Sequence, residues 1–111
     1  MSKNAQQLIR RPNDPLLLLL TSLASGPKHG YALSKDVEEF AGVTLSPGTL
    51  YGAITRLEEL GLTEPLEEVE RRRPYRITSS GTSALREITI EMRRLADVGT
   101  QRLRLAPGGA T

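Results

Sequence analysis

Residues 45–62 read LSPGTLYGAITRLEELGL, and both ends of a helix are marked within them. Ser46 is a typical N-cap residue, and Pro47 suits the first helical turn because no intrahelical partner is needed for its missing N–H. Gly61 predicts the end of the helix. Its apolar residues recur at three- and four-residue spacing and form one stripe for burial, made of Leu50, Ile54 and Leu57. The stretch therefore predicts an amphipathic helix.

Two more helices are predicted before this one. Pro15, preceded by a capping aspartate, indicates a helix start, and Gly26-Pro27 indicates its end. The run Leu16–Leu20 has no polar face, which predicts burial either at the centre of the fold or under a partner subunit. A second helix follows His29-Gly30 and is stopped by Gly42.

Between residues 62 and 78 the apolar pattern changes to short segments that predict two strands joined by a basic hairpin. Pro65 and Pro74 lack the N–H that a central strand needs, so both strands are expected at sheet edges. The predicted order of elements is helix, helix, short turn, helix and two-stranded ribbon. This order is typical of a winged helix-turn-helix. The predicted fold class is mainly α with a small two-stranded β wing, followed by a C-terminal dimerisation helix.

The last predicted helix has an apolar stripe at 3, 4, 3 spacing, which is typical of a seam between paired helices. The candidate dimerisation residues are Leu85, Ile88, Met92 and Leu95. No other predicted element is left to bury them, although spacing alone equally allows burial in the chain's own core. A candidate pocket for a small-molecule inducer lies between two such helices, at Ile88, Met92 and Leu95.

The 111 residues fit one small domain. Its predicted parts are a basic N-terminal arm over 1–11, the winged helix-turn-helix DNA-binding domain over 12–78, the dimerisation helix over 79–105 and a disordered tail over 106–111. The longest apolar run has five residues, whereas about 20 are needed to cross a bilayer. A cytoplasmic protein without membrane contact is therefore expected.

Composition excludes several classes of function. Cysteine is absent and histidine occurs once, which excludes disulfide scaffolds, thiol catalysis and multi-histidine metal sites. Neither a nucleophile with a base nor a phosphate-binding glycine loop is present. The sequence therefore predicts no enzyme activity, no cofactor and no metal.

The outward face of the helix that begins at Pro47 fits double-stranded DNA. Small residues at Gly48 and Gly52 permit a close approach, and hydroxyl, phenol and guanidinium groups beside them can contact base edges or phosphates. The helix contains Arg56 against two glutamates in its last turn, so its N-terminal half would face the DNA. The candidate contacts are Ser46, Pro47, Gly48, Thr49, Tyr51, Thr55 and Arg56.

Positive charge is concentrated after this helix. Residues 34–70 hold two basic against nine acidic residues, a net charge of −7, although the whole chain has a net charge of +2. The candidate wing contacts, which would lie along phosphates or in the minor groove, are Arg71, Arg72, Arg73 and Arg76. The candidate phosphate contacts at the start of the second helix are His29, Gly30 and Tyr31.

Three stretches resemble the signatures of the PadR family of transcriptional regulators: GPKHGYALSKDVEE at 26–39, LSPGTLYGAITRLEELGL at 45–62 and RRRPYRITSSG at 71–81. The length is similar to that of the short subgroup, with a winged helix and one C-terminal dimerisation helix. The resemblance implies a homodimer that represses transcription from a near-palindromic operator. In some members an aromatic acid or a hydrophobic drug releases the DNA. By position it implies recognition-helix contacts at Ser46, Pro47, Thr49 and Tyr51, and a basic wing at Arg71 to Arg73.

The chain departs from this family pattern at three positions. The family often has Pro where Gly52 stands, Lys where Thr55 stands and a second wing aromatic where Pro74 stands. Tryptophan is absent, so a drug site built from stacked tryptophans is not implied. The alternative is a winged-helix protein-interaction module that binds no DNA and docks a partner through its acidic middle and its leucine stripe.

Overall fold

The computed structural model describes Ile9 and residues 11–105, which form four α-helices and three β-strands. In chain order these are α1 (Pro15–Leu23), β1 (Lys28–His29), α2 (Gly30–Ala41), α3 (Pro47–Glu59), β2 (Thr63–Pro65), β3 (Pro74–Ile77) and α4 (Ser79–Leu105). Ile9 and Arg11 apart, the predicted basic arm lies outside the described residues, as does the predicted tail over 106–111.

The helix boundaries are set by side chains and backbone conformations that the sequence marks. At the start of α1, Asp14 Oδ1 accepts a hydrogen bond from the N–H of Leu16 at 2.8 Å. At the start of α3, Ser46 Oγ accepts from the N–H of Thr49 at 3.2 Å. Gly42 follows α2 in the left-handed conformation, with φ at 67°. These three predicted helix boundaries are confirmed.

α1 lies at the centre of the fold. Leu19 and Leu20 have no exposed surface, and the helix contacts α2, α3, α4 and β3. Ile9 joins the same buried cluster from the N-terminal side. Each such leucine contributes about 1.5–3 kcal/mol through burial. Of the two predicted settings for the leucine run, the centre of the chain's own fold is the one observed.

The sheet has three antiparallel strands in the order β1-β3-β2, so the prediction of a two-stranded wing was incomplete. β1 is two residues long and pairs Lys28 with Tyr75, far away in the chain. β3 is the central strand, which corrects the expectation that Pro74 keeps it at an edge. Pro74 is tolerated because it is the first residue of β3, where its carbonyl accepts from the N–H of Leu66 at 2.8 Å. Pro65 ends β2, which is an edge strand as predicted.

The two halves of α4 have different surroundings. Ala84 and Ile88 are buried where α4 meets α1 and β3, so the expectation that the chain has no partner for this stripe is wrong for its first half. A Cβ at Gly81 would collide with the carbonyl oxygen of Leu62, which explains a glycine at this close approach. Every residue from 93 to 105 is exposed. No helix in the described stretch of chain is both long and apolar enough to span a bilayer.

Candidate nucleic-acid interface

The outward face of α3 is solvent-accessible along its whole length. Leu50, Ala53, Ile54 and Leu57 anchor the helix in the core. The seven predicted recognition-helix contacts all lie on the opposite side or at the N-terminus, and all are exposed: Ser46, Pro47, Gly48, Thr49, Tyr51, Thr55 and Arg56. The packing of the helix therefore leaves this face free for a ligand.

Among the described residues, nothing in the packing requires glycine at Gly48 or Gly52. A Cβ built on either residue meets no atom within 4 Å. Glycine in a helix interior is less favourable than alanine by about 0.5–1 kcal/mol, so Gly52 weakens α3 without a compensating contact to the described part of the chain. Because no side chain projects from α3 at these two positions, the surface of the helix is low there, meaning that another molecule can approach the helix backbone closely.

The polar groups around this low surface are only weakly held. Ser46 Oγ donates to Thr49 Oγ1 at 3.0 Å, so the two hydroxyls at the helix N-terminus contact each other. Arg56 Nη1 lies 3.4 Å from Glu59 Oε1, and both side chains are about half exposed. Exposed ion pairs of this kind contribute about 0–1 kcal/mol. Arg56 can therefore exchange its glutamate for a phosphate at small cost.

Tyr51 does not project freely from the outward face of α3. Its ring lies against the first turn of α2, where a Cβ added to Gly30 would come within 2.9 Å of Tyr51 Cζ. Half of its surface stays exposed. Gly30 is thus a glycine because the ring of Tyr51 occupies the space of a side chain, and this contact ties α3 to α2.

Tyr51 forms part of a cleft between the start of α2 and the β2–β3 hairpin. The cleft has a volume of about 480 Å³ and is lined by His29, Gly30, Tyr31, Tyr51, Arg71, Arg72, Arg73 and Tyr75. The structure therefore brings together the three predicted phosphate contacts, three of the four predicted wing arginines and one of the seven predicted contacts of α3. Residues distant in the chain form one basic, tyrosine-rich surface.

Arg76 is the predicted wing arginine that lies outside the cleft. It faces Glu64 across the β2–β3 pair, with Arg76 Nη2 3.1 Å from Glu64 Oε1. The two side chains are about half exposed. Within the described part of the chain, the three arginines of the cleft have no carboxylate within 4.0 Å. Their charge is therefore uncompensated at short range.

Tyr75 is a cleft residue that the sequence did not single out. Burial raises the pKa of its phenol, the carboxylate of Glu58 and the neighbouring Tyr51 raise it further, and Arg73 lowers it. The phenol therefore stays protonated at neutral pH and can donate a hydrogen bond into the cleft. Tyr75 lies in the cleft because β3 pairs with β1, and this pairing was not predicted.

The hairpin ends in a tight turn. Val69 and Arg72 exchange two backbone hydrogen bonds of 2.8 Å. Between them Glu70 and Arg71 have positive φ angles of 49° and 65°. A two-residue turn with this geometry matches the strand twist but favours Asn or Gly, and each left-handed residue costs about 1–2 kcal/mol. The chain keeps bulky charged residues in a strained turn at the edge of the cleft.

The predicted dimerisation stripe is divided between core and solvent. Ile88 is 3% exposed and belongs to the core of its own chain. Leu85 and Met92 are half-buried against that core. Leu95 is 74% exposed. The predicted ligand-pocket residues Ile88, Met92 and Leu95 thus pass from the interior to the surface along α4.

A helix-turn-helix whose second helix exposes a low face, beside a small sheet with a projecting basic hairpin, defines this chain as a winged helix-turn-helix protein. Comparisons with known proteins agree. The model of the transcriptional regulator PadR-like family matches residues 19–87. A PadR family transcription regulator from Clostridium difficile R20291 has a similar structure, with a TM-score of 0.72 and 28% identity over 80% of this chain and 97% of the other.

Two curated relatives extend the comparison. The chain is 36% identical over 83 residues to the transcriptional regulator Rv3488 of Mycobacterium tuberculosis, which covers 72% of this chain and 77% of that protein. It is 45% identical over 86 residues to an uncharacterized 37.1 kDa protein in transposon TN4556 of Streptomyces fradiae. That match covers 78% of this chain and spans only 25% of the transposon protein. The chain belongs to the PadR-like family of transcriptional regulators.

Proposed function

We propose that the chain forms a homodimer that binds a near-palindromic site in double-stranded DNA in the cytoplasm and represses transcription there. α3 is the recognition helix, and the β2–β3 hairpin is the wing. The observation that carries the proposal is that two features of the surface lie side by side. The face of α3 has no side chains at Gly48 and Gly52, and it borders a cleft with three arginines that lack a nearby carboxylate in the described residues.

The chemistry of the two features divides the work of binding. A major groove about 12 Å wide admits α3, and the small residues let its backbone approach the base edges. Thr49 and Thr55, exposed on the same face, supply hydroxyls that can donate or accept. Arg71, Arg72 and Arg73 attract phosphates whatever the base sequence, so they contribute affinity rather than specificity.

The exposed half of α4 supports a homodimer. Its 27 residues span about 40 Å, and the part beyond Met92 has no partner among the described residues. The exposed segment of α4, residues 93–105, is so short that its helix would be only marginally stable in water without a partner. Leu95, Val98 and Leu105 are exposed apolar residues, and Gly99 has open space around it. A second copy, related by a two-fold axis, supplies the same surface in return.

Pairing of the two α4 helices makes dimerisation part of DNA recognition. The two copies of α3 would lie about 34 Å, or a multiple of that, apart and enter successive turns of one face of the duplex. A small hydrophobic or aromatic inducer between the paired helices, near Met92 and Leu95, would change that spacing. Favouring one spacing by about 1–3 kcal/mol alters the DNA affinity by roughly five- to 150-fold.

Fluorescence anisotropy on the DNA upstream of the coding sequence tests this proposal. Six cleft arginines per dimer predict that the logarithm of affinity falls with the logarithm of salt concentration at a slope near −5, by an order-of-magnitude estimate. Arg72→Gln should make this slope less steep by about 2 per dimer. Arg104→Gln removes the same charge from the last turn of α4 and should leave the slope unchanged.

Transcription in vitro from the same DNA tests repression and should fall as protein is added. Absence of binding at low salt would contradict the proposal. It would favour the alternative, a winged-helix module that docks a protein partner instead of DNA.

A further inference from the structure

His29 lies between two hydrogen-bond donors. It is the N-cap residue of α2, and its Nδ1 is 3.4 Å from the backbone nitrogen of Ala32. Its Nε2 is 3.3 Å from Nη1 of Arg72 in the wing. A backbone N–H and a guanidinium can only donate. Each ring nitrogen of His29 therefore faces a group that needs an acceptor.

A single imidazole cannot accept both hydrogen bonds. The neutral ring has one nitrogen with a lone pair and one with a proton, and the protonated ring has no lone pair on either. The charged guanidinium of Arg72 is the stronger donor of the two neighbours. In the free protein, the lone pair is therefore expected on Nε2 and the proton on Nδ1. The capping bond to Ala32 is then lost.

An oxyanion in the cleft removes this conflict. It accepts from Arg72 and from a proton on Nε2 at the same time, which leaves the lone pair on Nδ1 to accept from the N–H of Ala32. The number of protons on the ring does not change, because solvent takes the proton from Nδ1 and delivers a proton to Nε2. The other charged or titratable groups lining the cleft are Arg71, Arg73, Tyr31, Tyr51 and Tyr75, and no carboxylate from residues 11–105 lines it.

We propose that His29 donates its Nε2 proton to a phosphate oxyanion bound in this cleft, and that binding switches the ring from the Nδ1–H to the Nε2–H tautomer. The inference rests on the proposed DNA binding, in which the oxyanion is a backbone phosphate. It adds a consequence of its own: contact with the phosphate completes the N-cap of α2 and so stabilises the helix that supports α3.

Nitrogen-15 NMR of the imidazole in the full chain measures the tautomer directly. His29 is the only histidine, so its two ring nitrogens need no further assignment. The free protein should show the Nδ1–H form, and the complex with duplex DNA should show the Nε2–H form. A second titration with inorganic phosphate distinguishes the sources of the anion. The same switch with phosphate alone identifies a general oxyanion site, and a switch with DNA only identifies a site for the backbone.

One variant tests the inference without DNA. Arg72→Ala removes the competing donor, so Nδ1 can accept from Ala32 and the free variant should already show the Nε2–H form. Retention of the Nδ1–H form in this variant would overturn the inference whether or not the chain binds DNA. Wild-type protein that binds DNA without a change of tautomer would overturn it too, while leaving the proposed function intact.

Substitution of His29 separates its two roles. Asparagine offers a capping oxygen for which no second donor competes, and its shorter side chain cannot place a donor where Nε2 lies, so His29→Asn should melt slightly later than wild type without DNA and lose roughly three- to tenfold in DNA affinity. His29→Ala should lose the same affinity and leave the melting temperature of the free protein nearly unchanged, because the free protein does not make the capping bond. Asp14→Ala, which removes the cap of α1, should melt earlier without losing affinity at temperatures where it is folded. Wild-type affinity in His29→Asn would contradict the inference.

Discussion

Replacing Gly52 by alanine should move stability and DNA affinity in opposite directions. The residue lies inside α3, and a Cβ there meets no atom within 4 Å. Alanine is more favourable than glycine in a helix interior, so the free energy of unfolding should rise by about 0.5–1 kcal/mol. For a domain of this size, the melting temperature should rise by roughly 2–6 °C.

The same methyl group should weaken the complex with DNA. In the proposed complex the low face of α3 is pressed against base edges, so a Cβ at position 52 enters space that the DNA occupies. Overpacking of a close contact costs about 1–3 kcal/mol, which predicts a loss of roughly five- to 150-fold in affinity. Thermal denaturation followed by circular dichroism measures the stability, and fluorescence anisotropy with the upstream DNA measures the affinity.

Gly61→Ala is the control with the opposite expectation. Gly61 has a φ of 75°, a conformation that alanine adopts at a cost of about 1–2 kcal/mol, and it lies outside the proposed interface. This variant should melt earlier and, where folded, bind DNA normally. A Gly52→Ala protein that is stabilised and binds DNA as tightly as wild type would refute the close-approach reasoning.

Three further changes have equally definite outcomes. Leu95→Asp places a charge on an exposed position of α4, so the chain should fold but sediment as a monomer with weakened DNA binding. An unchanged dimer would show that Leu95 does not lie in the interface between the two α4 helices. Glu70→Asn relieves a left-handed glutamate, and the free energy of unfolding in urea should rise by about 0.5–1 kcal/mol, whereas no gain would show that the turn is unstrained. Because burial raises the pKa of Tyr75 above its ordinary value of 10.0, its contribution to stability holds below pH 10 and is lost as pH rises further. Tyr75→Phe should abolish that alkaline loss, and persistence of the loss in the variant would assign it elsewhere.

Local signals in the sequence were sufficient for the helices. The Ser46-Pro47 start of α3 and the Gly42 stop of α2 depend on residues within one turn, and both are as predicted. β1 was missed because two residues carry no periodicity and its partner strand is far away in the chain. That omission also hid the central position of β3.

The candidate site was predicted as a residue set but not as an arrangement. The sequence identified His29, Tyr51 and the wing arginines separately. The pairing of His29 with Pro74 brings the hairpin arginines beside the start of α2, and the packing of Tyr51 on Gly30 adds α3 to the same cleft. Arg76 was grouped with the wing because it is close in sequence, yet strand alternation directs it to Glu64. Cross-strand partners of this kind follow from register, which depends on the turn and is not visible in composition.

Sedimentation velocity of the chain mixed with a short duplex from its upstream region tests the central claim most directly. The account predicts a complex of two chains per duplex that dissociates as salt is raised from about 50 to 200 mM. One chain per duplex at saturation, or protein and DNA sedimenting separately at the lower salt concentration, would contradict it.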